Sequence, residues 1–585
     1  MPRDLAFTLA SLRAAYAGGL RPEAVIAEAF ARLDALDDPG IFLFEAREAA
    51  LEEARALGSP DGRPLWGIPF AVKDNIDVAG MPTTAACPDF LTVAQTDAHV
   101  VARLRAAGAI CLGKTNLDQF ATGLVGVRTP YPVPRNALDP ELVPGGSSSG
   151  SAVAVARGLV AFSLGTDTAG SGRVPAALND IVGLKPSLGA LSAAGMVPAC
   201  RTLDTISLFA QSVREAWELF DLCAGFDPAD AFSRPLPRQQ LSSLPPDVTV
   251  AVPDASSLRT FGDAVQASHF RATVERLRAG GAVVTEIDLA PFYAVADLLY
   301  SGPWVAERVA AVGARLTQAP QTLHPVTRAI LAPGLKLSAV DAFTGLYRLE
   351  ELRRVCAQAL EGIDFLCVPT IPCFVTLAEV AADPFGPNSR LGTYTNFVNL
   401  LDLCGIAVPT GPRADGRPGS LTVLARKGWD ARAAALALRL ERGGVDASLP
   451  AGESADDEIA LAVCGAHMAG LQLNGELTRR GGRFLRSART SPDYQLFALP
   501  GGPPARPGLL RAVDGRGGAI AVEVWALPRA AFGDFLAGIP APLVIGTVEL
   551  EDGGAVKGFL CEPHGLAGAR DITASGGWRA ALAAG

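Results

Sequence analysis

Residues 144–175 read PGGSSSGSAVAVARGLVAFSLGTDTAGSGRVP, two serine clusters in glycine-rich turns with an apolar stretch between them. A serine hydroxyl becomes a nucleophile only when a neighbouring base takes its proton. No histidine falls in this stretch, and the chain has only five, at 99, 269, 324, 467 and 564. A phosphate-cradling loop is excluded, because no lysine follows the last glycine of GGSSSGS. GSSSG at 146–150 matches the nucleophile elbow by letters, but that elbow needs a strand before it, and ELVPGG does not read as one. A flexible linker would have polar flanks, whereas LVAFSL reads as a buried strand. A glycine-rich loop at the end of such a strand can hold backbone N–H groups in a concave array, as stabilisation of an oxyanion requires.

The elements needed to hold these loops are legible nearby. PEAVIAEAFARLDAL at 22–36 predicts an amphipathic helix with proline at its first position and apolar residues at helical spacing. GIPFAVKDNIDV at 67–78 predicts a short apolar strand running into a polar turn. TDAHVVARLRAAGAICLGKTN at 96–116 predicts helix, glycine turn and strand, and FSLGTDTAG a buried strand ending in a turn. VTVAVPDAS, AVVTEIDLA, DFLCVPTIP and GIAVPTG add further strands, with helical patterns such as HFRATVERLRAGG between them. Strands alternating with helices imply an α/β layer architecture around a largely buried sheet. A composition shift at 441–458, ERGGVDASLPAGESADDE, reads as a linker. The expected domains are therefore 1–440 and 459–585, the second strand-rich.

The totals bound the function. With 585 residues, 49% hydrophobic and 19% charged, the chain can bury a sizeable core. A net charge of −9 argues against a nucleic-acid surface. Ten scattered cysteines without a CxxC pair give no zinc or thioredoxin motif and suggest reduced thiols and a cytoplasmic location. The absence of a long apolar run suggests no membrane span, and the N-terminal stretch does not read as a signal peptide.

The phrase GGSSSGSAVAVARGLVAFSLGTDTAGSGRVPAALNDIVGLKPS closely resembles the signature of the amidase signature family, and GIPFAVKDNIDV resembles its lysine segment. The likeness runs from about residue 22 to about residue 430. It implies a large mixed sheet covered by helices and a Ser–Ser–Lys triad without cofactor or metal. Carried over by motif, Ser171 is the nucleophile, Ser147 the bridging serine and Lys73 the base, while Ser148, Ser149 and Ser151 support the loop. The family's cis peptide falls at Gly146–Ser147. Its oxyanion donors fall at Thr168, Ala169, Gly170 and Ser171; alanine replaces the usual glycine at 169, which preserves the donor if Ala169 keeps φ below zero. Asp167 and Arg173 are expected to tie the loop down, and Lys114 and Lys185 to be structural charges. Lysine works as a base only when neutral, a condition that burial favours.

The chain beyond 459, with VCGAHMAGLQLNGEL, resembles the smaller α+β domain that follows the amidase domain in the allophanate hydrolase family. That likeness implies allophanate (urea-1-carboxylate) as substrate, arising from urea, biuret or cyanuric acid breakdown, and a homodimer associated with the enzymes upstream. Tyr300 and Arg308 in LLYSGPWVAERVA match the family's carboxylate-binding pair and are expected two turns apart on one helix. His467 in CGAHMAG is implied as acid–base group of a second, decarboxylating step. Two other readings stay open. One is a different amidase of the family, such as the tRNA-dependent amidotransferase component, whose tRNA partner suits an acidic chain poorly. The other is an inactive scaffold, disfavoured because all three triad positions are filled.

Overall fold

The computed structural model describes residues 5–443, 449–513 and 515–584. They divide into two compact units. The first comprises Met1–Gln239, Val250–Gly280 and Val284–Ala447; the second takes Gln240–Thr249, Gly281–Val283 and Ser448–Gly585.

The first unit carries an eleven-stranded sheet. In chain order its strands are β1 (Phe42–Glu45), β2 (Pro69–Lys73), β3 (Ile110–Thr115), β4 (Phe162–Asp167), β5 (Val182–Lys185), β6 (Thr205–Ala210), β7 (Thr249–Pro253), β8 (Val283–Ile287), β9 (Phe365–Pro369), β10 (Leu403–Pro412) and β11 (Pro418–Arg426). They lie side by side in the order β1-β3-β2-β4-β6-β5-β10-β11-β9-β7-β8. The β3–β2–β4 core is parallel, and β4–β6–β5–β10–β11–β9 runs antiparallel throughout, so the sheet is mixed, as the resemblance implied. Every residue of β2, β3 and β4 is buried, which explains why these strands read as apolar runs rather than alternating ones. The helix expected at 22–36 forms over Pro22–Leu36 and buries Val25, Ile26, Ala29, Phe30 and Leu33.

The loops that matter leave the carboxyl ends of β2 and β4, adjacent parallel strands, where α/β sheets offer their clefts. Between these strands in sequence lies the helix Ser149–Ala156, wholly buried except at its last residue. Its small residues permit this: Gly150 packs so tightly that a Cβ there would stand 2.2 Å from the Ile41 carbonyl oxygen.

In the second unit a five-stranded sheet runs in the order Arg483–Arg489, Ala521–Pro528, Glu458–Val463, Ala555–Cys561 and Leu543–Glu549. A three-stranded sheet joins Pro507–Arg511, Tyr494–Ala498 and Arg570–Asp571. Its core gathers around Trp525, whose indole Nε1 donates to buried Glu523 at 3.0 Å. The expected boundary needs two adjustments. The domain's first strand begins at Glu458, and residues 240–249 belong to this unit because Ser243 bonds to Leu449 and Pro450, with Asp247 paired to Arg579. Of the expected linker, residues 444–448 lie outside the described residues. All ten cysteines are buried and unpaired. Among the described residues no single helix is long and apolar enough to cross a membrane.

Candidate active site

Lys73 ends β2, and its ammonium is fully buried. Nζ lies 2.8 Å from Ser147 Oγ and 2.7 Å from Thr166 Oγ1. Burial depresses its pKa to about 7, although the charges of Asp118, Asp204 and Asp167 oppose the shift. An amine in that position is a base at neutral pH.

Ser147 sits in the turn before the Ser149–Ala156 helix, and the Gly146–Ser147 peptide is cis. Its three neighbouring serines pin the turn to the sheet. Ser148 Oγ donates to the Thr166 carbonyl at 3.2 Å, Ser149 Oγ to that of Asn116 at 3.3 Å and Ser151 Oγ to that of Leu164 at 2.9 Å. These are the supporting roles expected of them.

Ser171 lies on the loop following β4 and is 1% exposed. Its Oγ makes a long contact, 3.5 Å, to the Gly123 carbonyl. Among the described residues its hydroxyl shares no hydrogen bond with Ser147, so the second link of the expected relay is open. Catalytic hydrogen bonds are often long before substrate binds.

The loop is held by a buried ion pair. Arg173 Nε and Nη2 each donate to Asp167 at 3.0 Å. Burial alone would raise the Asp167 pKa, but the Arg173 charge and hydrogen bonds outweigh it and hold the carboxyl below its usual value. Asp167 also accepts from the N–H groups of Gly170 at 2.9 Å and Gly172 at 3.0 Å. Asp167 thus engages the amide of Gly170, one of the four expected oxyanion donors. Gly170 has φ 128°, and a Cβ there would meet Thr395 Oγ1 at 2.4 Å, so glycine is required for both space and conformation. Ala169 does keep a negative φ, and its methyl joins the core cluster with Leu203 and Phe397.

Lys114 and Lys185 are buried and fully occupied. Lys114 bonds Pro82 and Thr83 and pairs with Asp74 at 3.3 Å, while Lys185 donates to the carbonyls of Pro186 and Leu403 at 2.7 and 2.6 Å. Neither contacts the serines.

Tyr300 and Arg308 do meet, but not on one helix. Tyr300 ends the helix Ala290–Ser301, Arg308 lies in Trp304–Val312, and Gly302-Pro303 separates them. Proline has no N–H to continue the first helix and disfavours helical geometry in the residue before it. The guanidinium still stands over the Tyr300 ring, 5.2 Å from its centre. Arg308 is 1% exposed; its Nη1 donates to Thr122 Oγ1 at 3.3 Å, and its Nε and Nη2 have no hydrogen-bond partner among the described residues. Burial works against its charge, but the surroundings, Cys200, Tyr300 and Asp204 first among them, keep the guanidinium protonated. A buried, charged fork with unmet N–H groups is chemically able to take an anion.

Sequence reasoning missed several participants. Thr166 is the second partner of Lys73. Asp204, with its pKa raised to about 6 by burial against opposing hydrogen bonds, accepts from Thr168 Oγ1 at 2.5 Å. Asn399 donates to the carbonyls of Asp167 at 2.9 Å and Leu203 at 2.8 Å, bracing the Ser171 loop. Thr166 was visible in GTDT; the other two are brought in from distant sequence and carry no local signal.

In the second unit His467 lines a cavity of about 190 Å³ with Glu476, Arg506 and Phe559. The ring stacks on Phe559, 5.0 Å between centres, and Nε2 lies 3.1 Å from Glu476 Oε2. Burial lowers its pKa, and Glu476 partly restores it. His564, by contrast, is exposed beside Glu562.

A mixed eleven-stranded sheet presenting a buried lysine against a serine turn, with a second serine on a neighbouring loop, defines an amide-hydrolase class, and residues 24–433 match the Amidase family, to which the chain belongs. Residues 459–583 match the allophanate hydrolase C-terminal domain. The structure is similar to that of allophanate hydrolase from Kluyveromyces lactis, with TM-score 0.78 and 40% identity covering 99% of each chain. Urea amidolyase of Saccharomyces cerevisiae is 44% identical over 92% of this chain, which spans 31% of that protein's length. A glutamyl-tRNA(Gln) amidotransferase component from Acidobacterium capsulatum is 33% identical over 72% of this chain and 95% of its own.

Proposed function

We propose that this amidase hydrolyses allophanate through Lys73, Ser147 and Ser171. The observation that carries the reading is the buried Arg308 fork, with Nε and Nη2 unpartnered, in the same unit as the triad. The likeness to the K. lactis enzyme across both units supports it, whereas the amidotransferase relatives leave the second unit unaccounted for.

In this mechanism Arg308 and Tyr300 hold the substrate carboxylate. Ser171 Oγ attacks the terminal ureido carbonyl while its proton passes through Ser147 to neutral Lys73. The amides of Thr168, Ala169 and Ser171 receive the oxyanion. Collapse of the tetrahedral intermediate breaks the C–N bond; the proton returns from Lys73 to the departing nitrogen and ammonia leaves. Water then attacks the acyl-serine by the same route, freeing Ser171 and N-carboxycarbamate. That product loses carbon dioxide to give carbamate, which breaks down to ammonia and a second carbon dioxide. A homodimer in the cytoplasm, supplied by an allophanate-forming enzyme, belongs to the same reading.

The test is a comparison of substrates. Arg308→Ala is expected to raise KM for allophanate by about a hundredfold, the scale of a charged hydrogen-bonded pair lost from a buried site, with little effect on a neutral amide. Equal losses on both substrates, read as ammonia release, would remove carboxylate recognition. For the second unit, His467 is proposed as the acid–base group of the decarboxylation. His467→Ala should leave the first ammonia released at the parental rate while N-carboxycarbamate, followed by carbon-13 NMR, persists longer. Unchanged decay would leave His467 a packing residue.

A further inference from the structure

Arg128 is a further buried arginine of the first unit besides Arg173 and Arg308, only 2% exposed, on the loop that follows Thr122 and Gly123. Its Nη1 donates to the Thr122 carbonyl at 3.0 Å and its Nη2 to that of Pro384 at 3.0 Å, while Nε has no partner. Thr122 is the residue whose hydroxyl receives Arg308 at 3.3 Å. Two buried guanidinium groups therefore converge on one threonine, one on its carbonyl and one on its hydroxyl. The next residue, Gly123, presents its carbonyl to the nucleophile Ser171.

Three carboxylates add negative charge around the pair, but each is hydrogen-bonded to groups other than the two guanidinium groups. Asp118, the carboxylate of the same loop, already accepts the backbone N–H groups of Gly126 at 2.9 Å and Arg128 at 2.8 Å, one on each oxygen. Glu307, next to Arg308 in sequence, bonds the amide and hydroxyl of Thr202, both at 2.8 Å. Asp204 is held by Thr168, Ala199 and Cys200. Among the described residues no carboxylate bonds the side chain of either arginine, and Nε of Arg128 and Nε and Nη2 of Arg308 have no hydrogen-bond partner. Burying two like charges together is costly unless an anion joins them.

We propose that Arg128 is a second cation of the carboxylate pocket, a positioning residue whose buried charge and tie to Thr122 set the preference for an anionic substrate. The inference rests on the carboxylate reading of Arg308. Arg128 orders Thr122 and adds positive potential behind Arg308, so the pocket favours a negatively charged ligand beyond what one fork provides. Burial disfavours the Arg128 charge, Asp118 supports it and Arg308 opposes it, so a bound carboxylate adds to what Asp118 supplies.

Arg128→Gln, Arg128→Lys and Arg308→Ala are to be compared in the full chain, with inhibition by malonate, a dicarboxylate, and by uncharged malonamide. Arg128→Gln is expected to raise the malonate inhibition constant and the allophanate KM about tenfold, the scale of one partly screened charge, leaving malonamide inhibition and kcat within about twofold. Arg128→Lys should keep most of the malonate preference, since the charge remains. Equal weakening of both inhibitors in Arg128→Gln would make the residue purely structural and overturn the proposal. So would unchanged malonate inhibition there while Arg308→Ala loses it. If Arg308→Ala itself spares malonate, the carboxylate reading has failed rather than this extension of it. Should Arg128→Gln not fold, Arg128→Lys decides: malonate inhibition lost as far as in Arg308→Ala overturns the role of charge.

Discussion

Ser171→Ala is expected to reduce ammonia release from allophanate by at least about a thousandfold, because removing the nucleophile of a linked catalytic set abolishes the function of the whole set. The same variant should melt within a degree or two of the parent. Among the described residues the Ser171 hydroxyl has only its 3.5 Å contact to Gly123, so its loss leaves no strong hydrogen bond broken. The ion pair of Asp167 with Arg173 and the bonds of Asn399 hold the loop without it. A steady-state ammonia assay with a melting curve on the same sample is sufficient. Turnover above a hundredth of the parental rate in a correctly folded sample would transfer the nucleophile's role elsewhere.

Lys73→Met carries the second large effect, and the pH profile of the parent accompanies it. With a folded pKa of about 7, Lys73 is protonated and idle at low pH. The allophanate kcat/KM is expected to climb about tenfold per unit below pH 7 and level off above it. A flat profile from pH 5 to 9 would eliminate lysine as the base. Lys73→Met should lose the activity at every pH. Stability gives an independent reading with a definite sign. The unfolded chain holds this proton up to about 10.5, while the folded chain gives it up near 7. Between those values the unfolded state binds more protons, so the contribution of Lys73 to stability rises with pH and is least favourable below 7. Lys73→Met should flatten that part of the stability profile, measured by urea titration at several pH values.

Much of this architecture was legible in residue order because its strands are short and buried on both faces. FAVK, FSLGTD and FLCVP announce themselves as apolar runs closed by polar turns. The proposed triad was legible because its residues occupy two contiguous motifs, whose resemblance assigned the roles. What stayed hidden depends on long-range contacts. Asp204 reaches Thr168 across 36 residues, and Asn399 reaches Asp167 across 232. The helix break at Gly302-Pro303 did have a sequence signal, since proline after glycine seldom lies inside a helix; spacing alone suggested one continuous element. The claim of the second unit on residues 240–249 left no trace in composition.

The buried cysteines have a practical consequence. Each cysteine is buried, and burial, outweighing the nearby Lys114, Arg105 and Arg103 charges, drives the thiols of Cys111 and Cys223 up to about 12, far from the reactive thiolate form. Alkylating reagents and mild oxidants should leave the native protein untouched, so electrophilic probes aimed at hydroxyl groups can be read without sulfur background, and labelling at sulfur would itself signal unfolding.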